Sequence, residues 1–322
     1  QSGLARLQEN GRFALMRMET DMRMAGGQYC SSTTGASVQG TLIPVLPSRA
    51  PMVYAPNLAL PDSNISSIDA TGFPVTTVAT APYVLSPRWF IQGYSCTTTS
   101  CSPTLTYADT KIPDMGLAAD KRVPGSDVLT VRYQSGSGWP ILANSCSTPT
   151  GSTISSGTKI TVAPQTGDDP FNFAVSVPGP NLALVSDCIA PAILPISAVD
   201  LGSKRLTVGN ILAGAPGQLC NGSSQRDVRL FDFSRDFVTV SYYLVFRADE
   251  SPDARPNSAA SQRLIPVLVR SENGTAQELV RGVDLLAFRY GVMQTNGNTQ
   301  LMTAAEITAA GTVDCTVAPT GA

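Results

Sequence analysis

Helical periodicity occurs once in this chain, at its start, and that restricts the possible fold more than any other feature of its 322 residues. Leu4, Leu7, Gly11, Leu15, Met18, Met22 and Ala25 recur at steps of three and four residues, so they share one face of an α-helix. Arg6, Glu9, Arg12, Arg17, Glu19, Asp21 and Arg23 lie between them, and Gly26-Gly27 supplies the stop. Phe13, Met16 and Met24 fall off that seam and form a second apolar patch. Two coverings are open for the patch, a loop of the same chain or a second subunit. Paired charges such as Arg12, Arg17 and Arg23 against Glu9, Glu19 and Asp21 would set register between subunits more than hold them together.

Beyond Cys30 the texture changes. Residues 31 to 126 are rich in Ser, Thr, Pro and Gly, and Pro44, Pro47, Pro51, Pro56 and Pro61 exclude central-strand pairing over much of this stretch. From Ser126 onward, short β-prone runs follow one another between Gly/Pro/Asn/Asp clusters: residues 128–133, 159–163, 171–177, 182–185, 193–196, 205–208, 228–233, 237–247, 264–270 and 285–290. Helical sequence of crossover length does not recur between them, which argues for antiparallel rather than parallel sheet. The expected fold class is therefore α+β. A long N-terminal amphipathic helix, residues 1–27, would pack on a large antiparallel β body. Residues 28–322 would form that body as a single domain, with long loops in its first part, 31–126.

Composition narrows the function. Lys plus Arg number 22 against 24 Asp plus Glu, so no positive excess exists to neutralise a phosphate backbone, and nucleic acid is not an expected partner. Histidine is absent, which removes Ser-His-Asp and Cys-His catalysis and the commonest transition-metal ligand. The remaining chemistry is thin. Ser156-Gly157-Thr158-Lys159 has the SxxK spacing of a lysine-activated serine, but it sits in Ser/Thr-rich sequence unsuited to the helix which that spacing needs. Asp168, Asp169, Asp187, Asp249, Glu250 and Asp253 supply carboxylates of the kind used in glycoside hydrolysis or calcium binding, yet without the calcium-loop pattern, and loop carboxylates are mostly turn formers. Asn64, Asn221 and Asn273 open glycosylation sequons. The expectation is a protein that is not an enzyme and uses no cofactor or metal.

Seven cysteines, Cys30, Cys96, Cys101, Cys146, Cys188, Cys220 and Cys315, are scattered without a CxxC pair, the pattern of disulfides formed in an oxidising compartment. Cys96 and Cys101 enclose four small β-prone residues and make the best single pair; Cys30, Cys146, Cys188 and Cys220 are the further candidates. No run reaches the ~18 apolar residues of a membrane span, and the first residue is Gln1 rather than Met, from which a mature or trimmed chain is expected.

Leu7-Gln8-Glu9-Asn10-Gly11-Arg12-Phe13-Ala14, then Asp21-Met22-Arg23-Met24-Ala25-Gly26-Gly27 and Cys30, resembles the segment after the membrane helix in PilW-type minor pilins of type IV pili. Gly125-Ser126-Asp127-Val128-Leu129-Thr130-Val131-Arg132-Tyr133, Leu184-Val185-Ser186-Asp187-Cys188, and the run from Glu278 to Val292 are similar to the same family. The resemblance implies a pilin-like fold akin to the J-type pseudopilins. It implies a non-enzymatic subunit that joins other minor pilins and the major pilin in a priming and tip complex. It also implies an extracellular or periplasmic location, with inner-membrane storage through a hydrophobic helix ahead of Gln1. Leu4, Leu7, Gly11, Phe13, Leu15, Met18 and Met22 would then be the subunit-interface residues of the helix. The alternative is an adhesin that binds a surface or glycan through loops 31–126.

Overall fold

The structure is a computed structural model. It describes residues 2–28, 31–32, 51–56, 81–85, 90–105, 112–142, 146, 153–174, 181–186, 191–212, 214–216, 228–249, 263–293 and 298–310. Cys30, Cys188, Cys220 and Cys315, most of loop 31–126, Asp187, Glu250, Asp253, and the sequons at Asn64 and Asn221 lie outside these residues.

Two compact units share the chain, each discontinuous in sequence. The first comprises Gln1–Ala25, Ile91–Arg132 and Thr239–Asp314, the second Gly26–Phe90, Tyr133–Val238 and Cys315–Ala322. The described residues are mostly antiparallel β, 46% strand against 14% helix. This corrects the expected α+β, pilin-like class, in which one long helix packs on a large β body. The reason lies in pairing between segments far apart in sequence. Short strands distribute their hydrogen bonds between separate sheets, and local periodicity carries no information about which sheet each one joins.

In the first unit, a six-stranded sheet runs in the order Thr275–Arg281, Leu264–Glu272, Phe237–Ala248, Val128–Gln134, Ile91–Cys96 and Cys101–Ser102. Phe237–Ala248 and Leu264–Glu272 are long antiparallel partners, with Leu244 opposite Leu268 and Tyr242 opposite Arg270. Asn273 and Gly274 both take positive φ, 49° and 84°, and close the next hairpin in two residues. That left-handed pair matches the twist of the flanking strands, which is why Asn-Gly is favoured there. Tyr94, Ile112, Val128, Tyr243, Val245 and Val269 form a core cluster in this unit. Gly93 makes room for the Tyr290 ring, whose hydroxyl stands where a Cβ would be.

Helix Ser2–Met24 belongs to this unit and packs against the edge strand Thr275–Arg281. A short helix, Ala304–Ala310, packs against Ile91–Cys96 and Cys101–Ser102. Its start is a capping box: Glu306 N–H donates to Thr303 Oγ1 at 3.1 Å, and Thr303 N–H donates to Glu306 Oε2 at 2.6 Å.

In the second unit, the sheet follows the path Lys159–Thr161, Arg205–Val208, Ala192–Asp200, Asn181–Ser186, Arg229–Asp232 and Trp139–Pro140. Met52–Val53 adds in parallel to Ala192–Asp200. Every position of Asn181–Ser186 is buried because the strand has apolar neighbours on both faces. Ala183 and Val185 join the cluster around Trp139, Ile160 and Leu194; Leu182 and Leu184 join that around Phe90, Phe231 and Phe237. Buried Asp232 accepts from Arg235 N–H at 3.2 Å and Ala174 N–H at 2.9 Å, capping the one-turn helix Phe233–Asp236.

Two expected strands are irregular where described. Phe171 and Phe173 pack their rings near Trp139 without entering a ladder. Residues 285–289 are also not strand, since Asp127 takes over the pairing: its N–H donates to Leu286 O, and its Oδ2 accepts from Phe288 N–H at 3.0 Å.

Candidate functional site: the N-terminal helix and its anchor

The face that the helix buries is narrow. Ala14, Met18, Asp21 and Ala25 are buried, and at about 100° per residue they span only about 60° of arc. One of the four is a carboxylate. Asp21 is 2% exposed and accepts from Arg270 Nε at 2.6 Å and Nη2 at 3.2 Å, a two-point contact that fixes the planes of both groups. The Tyr242 hydroxyl, fully buried, donates to the same Asp21 Oδ2 at 2.5 Å. Arg270, 4% exposed, reaches outward through Nη1 to Glu272 Oε2 at 2.6 Å.

The strands position these groups. Tyr242 and Arg270 are directly opposed in the antiparallel pair, so phenol and guanidinium converge where the helix crosses. Burial, and then the hydrogen bond to Asp21, push the Tyr242 hydroxyl above its ordinary value of 10.0. Burial works against the Arg270 charge, but hydrogen bonds to Asp21 and Glu272 outweigh it and hold the guanidinium above its ordinary value. The guanidinium stays charged and the phenol neutral, so Asp21 meets one cationic and one neutral donor.

Either side of the buried stripe, large apolar side chains face solvent. Leu15 is 68% exposed and Met22 is also exposed on one shoulder; Phe13 at 56% and Met24 lie on the other, and Met16 at 59% lies on the back. Gly11 is half-buried, with nothing near the place a Cβ would take. The back carries Gln8, Arg12, Glu19 and Arg23, the last two paired at 2.5 Å. Of the seven interface residues expected from sequence, Met18 is buried, Phe13, Leu15 and Met22 are exposed, and the side chains of Leu4 and Leu7 lie outside the described residues. The buried face is rotated by about 50° from the seam that the apolar spacing indicates. Asp21 causes the rotation, because its bonds to Arg270 and Tyr242 are directional and apolar contact is not. By spacing Asp21 falls among the polar residues between seam positions, and it is instead the anchor. Its spacing from Met18 and Ala25, three before and four after, is the one sequence signal that places it on their face.

The other candidates are committed elsewhere. Cys96 and Cys101 form a disulfide, and Cys146 is also disulfide-bonded. Ser156 lies in a turn, where its Oγ accepts from Ile211 N–H at 3.3 Å, and Lys159 begins a strand, so the SxxK spacing spans no helix. Asp168 accepts from Gln165 N–H at 2.8 Å and pairs with Arg229 at 3.3 Å; the backbone bond is the larger cause of its lowered pKa. The Asp169 carbonyl accepts from Trp139 Nε1 at 3.0 Å, and Asp249 pairs with Arg263. Asn273 is the first turn residue of its hairpin. Among the described residues no group of His, Cys, Asp and Glu could hold a metal ion, and no helix is long and apolar enough to cross a membrane.

No family model matches the chain, and no curated protein or solved structure matches it.

Proposed function

We propose that this chain is a non-enzymatic assembly subunit of the PilW-type minor-pilin kind, joining other minor pilins and the major pilin through its N-terminal helix. The observation that carries it is the exposure of Phe13, Leu15, Met16, Met22 and Met24 on a helix pinned in place by Asp21. Fully burying one such side chain contributes about 1.5 to 3 kcal/mol, so several taken up together would support a stable subunit contact. Methionine suits a face that meets unlike neighbours, since its unbranched chain adapts to uneven gaps. With the resemblance in residues 7–30, the reading includes an apolar helical segment ahead of Gln1 and storage in the inner membrane before assembly into an extracellular fibre.

The test is co-expression with the minor pilins and major pilin of the same genome, comparing wild type with Leu15→Asp and Met16→Asp. Wild type should co-purify with them and the folded variants should not; equal recovery of both would remove the helix as the interface.

A second reading, adhesion, is favoured by one observation. The Thr97–Ser100 tip is exposed and closed by the Cys96–Cys101 bond, and Thr97 Oγ1 accepts from Thr99 N–H at 3.3 Å and Ser100 N–H at 3.1 Å. Replacing residues 97–100 by glycines should lower attachment without changing pilus number if this tip binds a surface.

A further inference from the structure

The guanidinium of buried Arg122 is aimed at sulfur. Its side chain is on a residue 3% exposed, with Nη1 at 3.3 Å from Cys96 Sγ and Nη2 at 3.3 Å from Cys101 Sγ. Nε has no hydrogen-bond partner, and no carboxylate forms an ion pair with the group, among the described residues. A bonded disulfide sulfur is a weak acceptor. The molecule therefore holds a buried cation against two atoms that compensate it poorly, an arrangement that costs free energy unless a negative charge arrives. Reduction supplies that charge, since a departing cysteine leaves as thiolate.

We propose that Cys96–Cys101 is a thiol–disulfide exchange site, opened by an external dithiol, at which Arg122 stabilises the departing Cys96 thiolate. The two sulfurs are not equivalent. Cys101 is half-buried and Cys96 buried, so the attacking thiolate bonds to Cys101 Sγ, and the electron pair of the S–S bond leaves with Cys96. The dithiol's second thiolate then displaces Cys101 and departs as a disulfide, and two protons complete the two cysteine thiols. Exchange is faster when the leaving thiol has a lower pKa, and an opposite charge within about 4 to 6 Å lowers a pKa by about 1 to 3 units.

Other groups oppose this, and Arg122 must outweigh them. Asp127 Oδ1 accepts from Cys96 N–H at 3.0 Å. The Tyr94 carbonyl lies 3.8 Å from Cys96 Sγ. Asp114 acts on Arg122 itself, countering the burial that pulls the guanidinium pKa down. On the helix packed against both strands, the Glu306 carboxylate is held mainly by hydrogen bonds from Thr303, with a smaller attraction from Arg289. Among the described residues, only Arg122 touches both sulfurs with donors.

The experiment reduces the oxidised protein with dithiothreitol, quenches aliquots by alkylation and follows the tryptic peptide 89–111. That peptide holds Cys96 and Cys101 with no internal Lys or Arg, and it separates this bond from that of Cys146. Arg122→Met should slow opening by about tenfold, and Arg122→Lys, which keeps the charge, should stay within about threefold of wild type. Equal or faster opening in a natively folded Arg122→Met overturns the proposal. Should that variant not fold, the pH dependence of Cys96 alkylation in reduced wild type decides. An apparent pKa below the ordinary ~8.5 supports the assignment, and a value at or above it overturns the assignment.

Discussion

The middle of the N-terminal helix and its two shoulders have exchanged the roles that side-chain polarity would assign. The middle buries Asp21 against Arg270 and Tyr242, while the shoulders leave Leu15, Met22, Phe13 and Met24, and the back leaves Met16, in solvent. A helix attached mainly by apolar contact would bury its greasiest arc. This one is oriented by directional bonds, so its rotation is fixed by geometry and the greasy arcs remain free. The contrast separates two tasks on one element, holding its own unit together and presenting a surface.

Removing the anchor should have the largest effect. Asp21→Ala leaves Arg270 buried without its counter-charge and should destabilise the first unit by about 3 to 5 kcal/mol, read from urea unfolding. The double variant Asp21→Leu with Arg270→Met should recover most of that loss. If it does not, the ion pair is not what orients the helix. Next in size is the alkaline limb. Burial raises the hydroxyls of Tyr83, Tyr242 and Tyr290 above the ordinary 10.0. The folded state therefore keeps protons that the unfolded state releases, and stability should be full below pH 10 and fall as pH rises beyond it. Tyr242→Phe should cost about 1 to 2 kcal/mol at neutral pH and make the alkaline fall less steep. At the shoulders, Leu15→Asp and Phe13→Asp should change unfolding of the isolated chain by no more than about 0.5 kcal/mol. A large loss there would mean that the shoulders are part of the unit's own core.

How much of this the sequence carried depends on the range of the interaction. The Asn273-Gly274 turn is local chemistry, and so is the Cys96–Cys101 bond, five residues apart, which the small residues between them already suggested. Strand runs such as 182–185, 205–208 and 237–247 coincide with observed strands for the same reason, since β-prone composition between turn residues is a local signal. What escaped is non-local. Asp21 meets Arg270 across 249 residues and Tyr242 across 221, and no periodicity links them. The same gap explains the corrected fold class, because local periodicity does not say which of the separate sheets each short strand joins. Residues 285–289 look β-prone yet pair with the Asp127 side chain, a partner that strand patterning does not represent. Arg122 carries no sequence signal at all, since its significance rests on two sulfurs brought beside it by pairing of separate strands.

Site-specific photo-crosslinking at two helix positions tests the division of labour most directly. On the proposed role, a photoreactive residue at 15 should bond to co-expressed minor or major pilins, whereas one at 18 should bond only to its own unit. Cross-links from 15 confined to the same chain, in cells that assemble the fibre, would contradict the account.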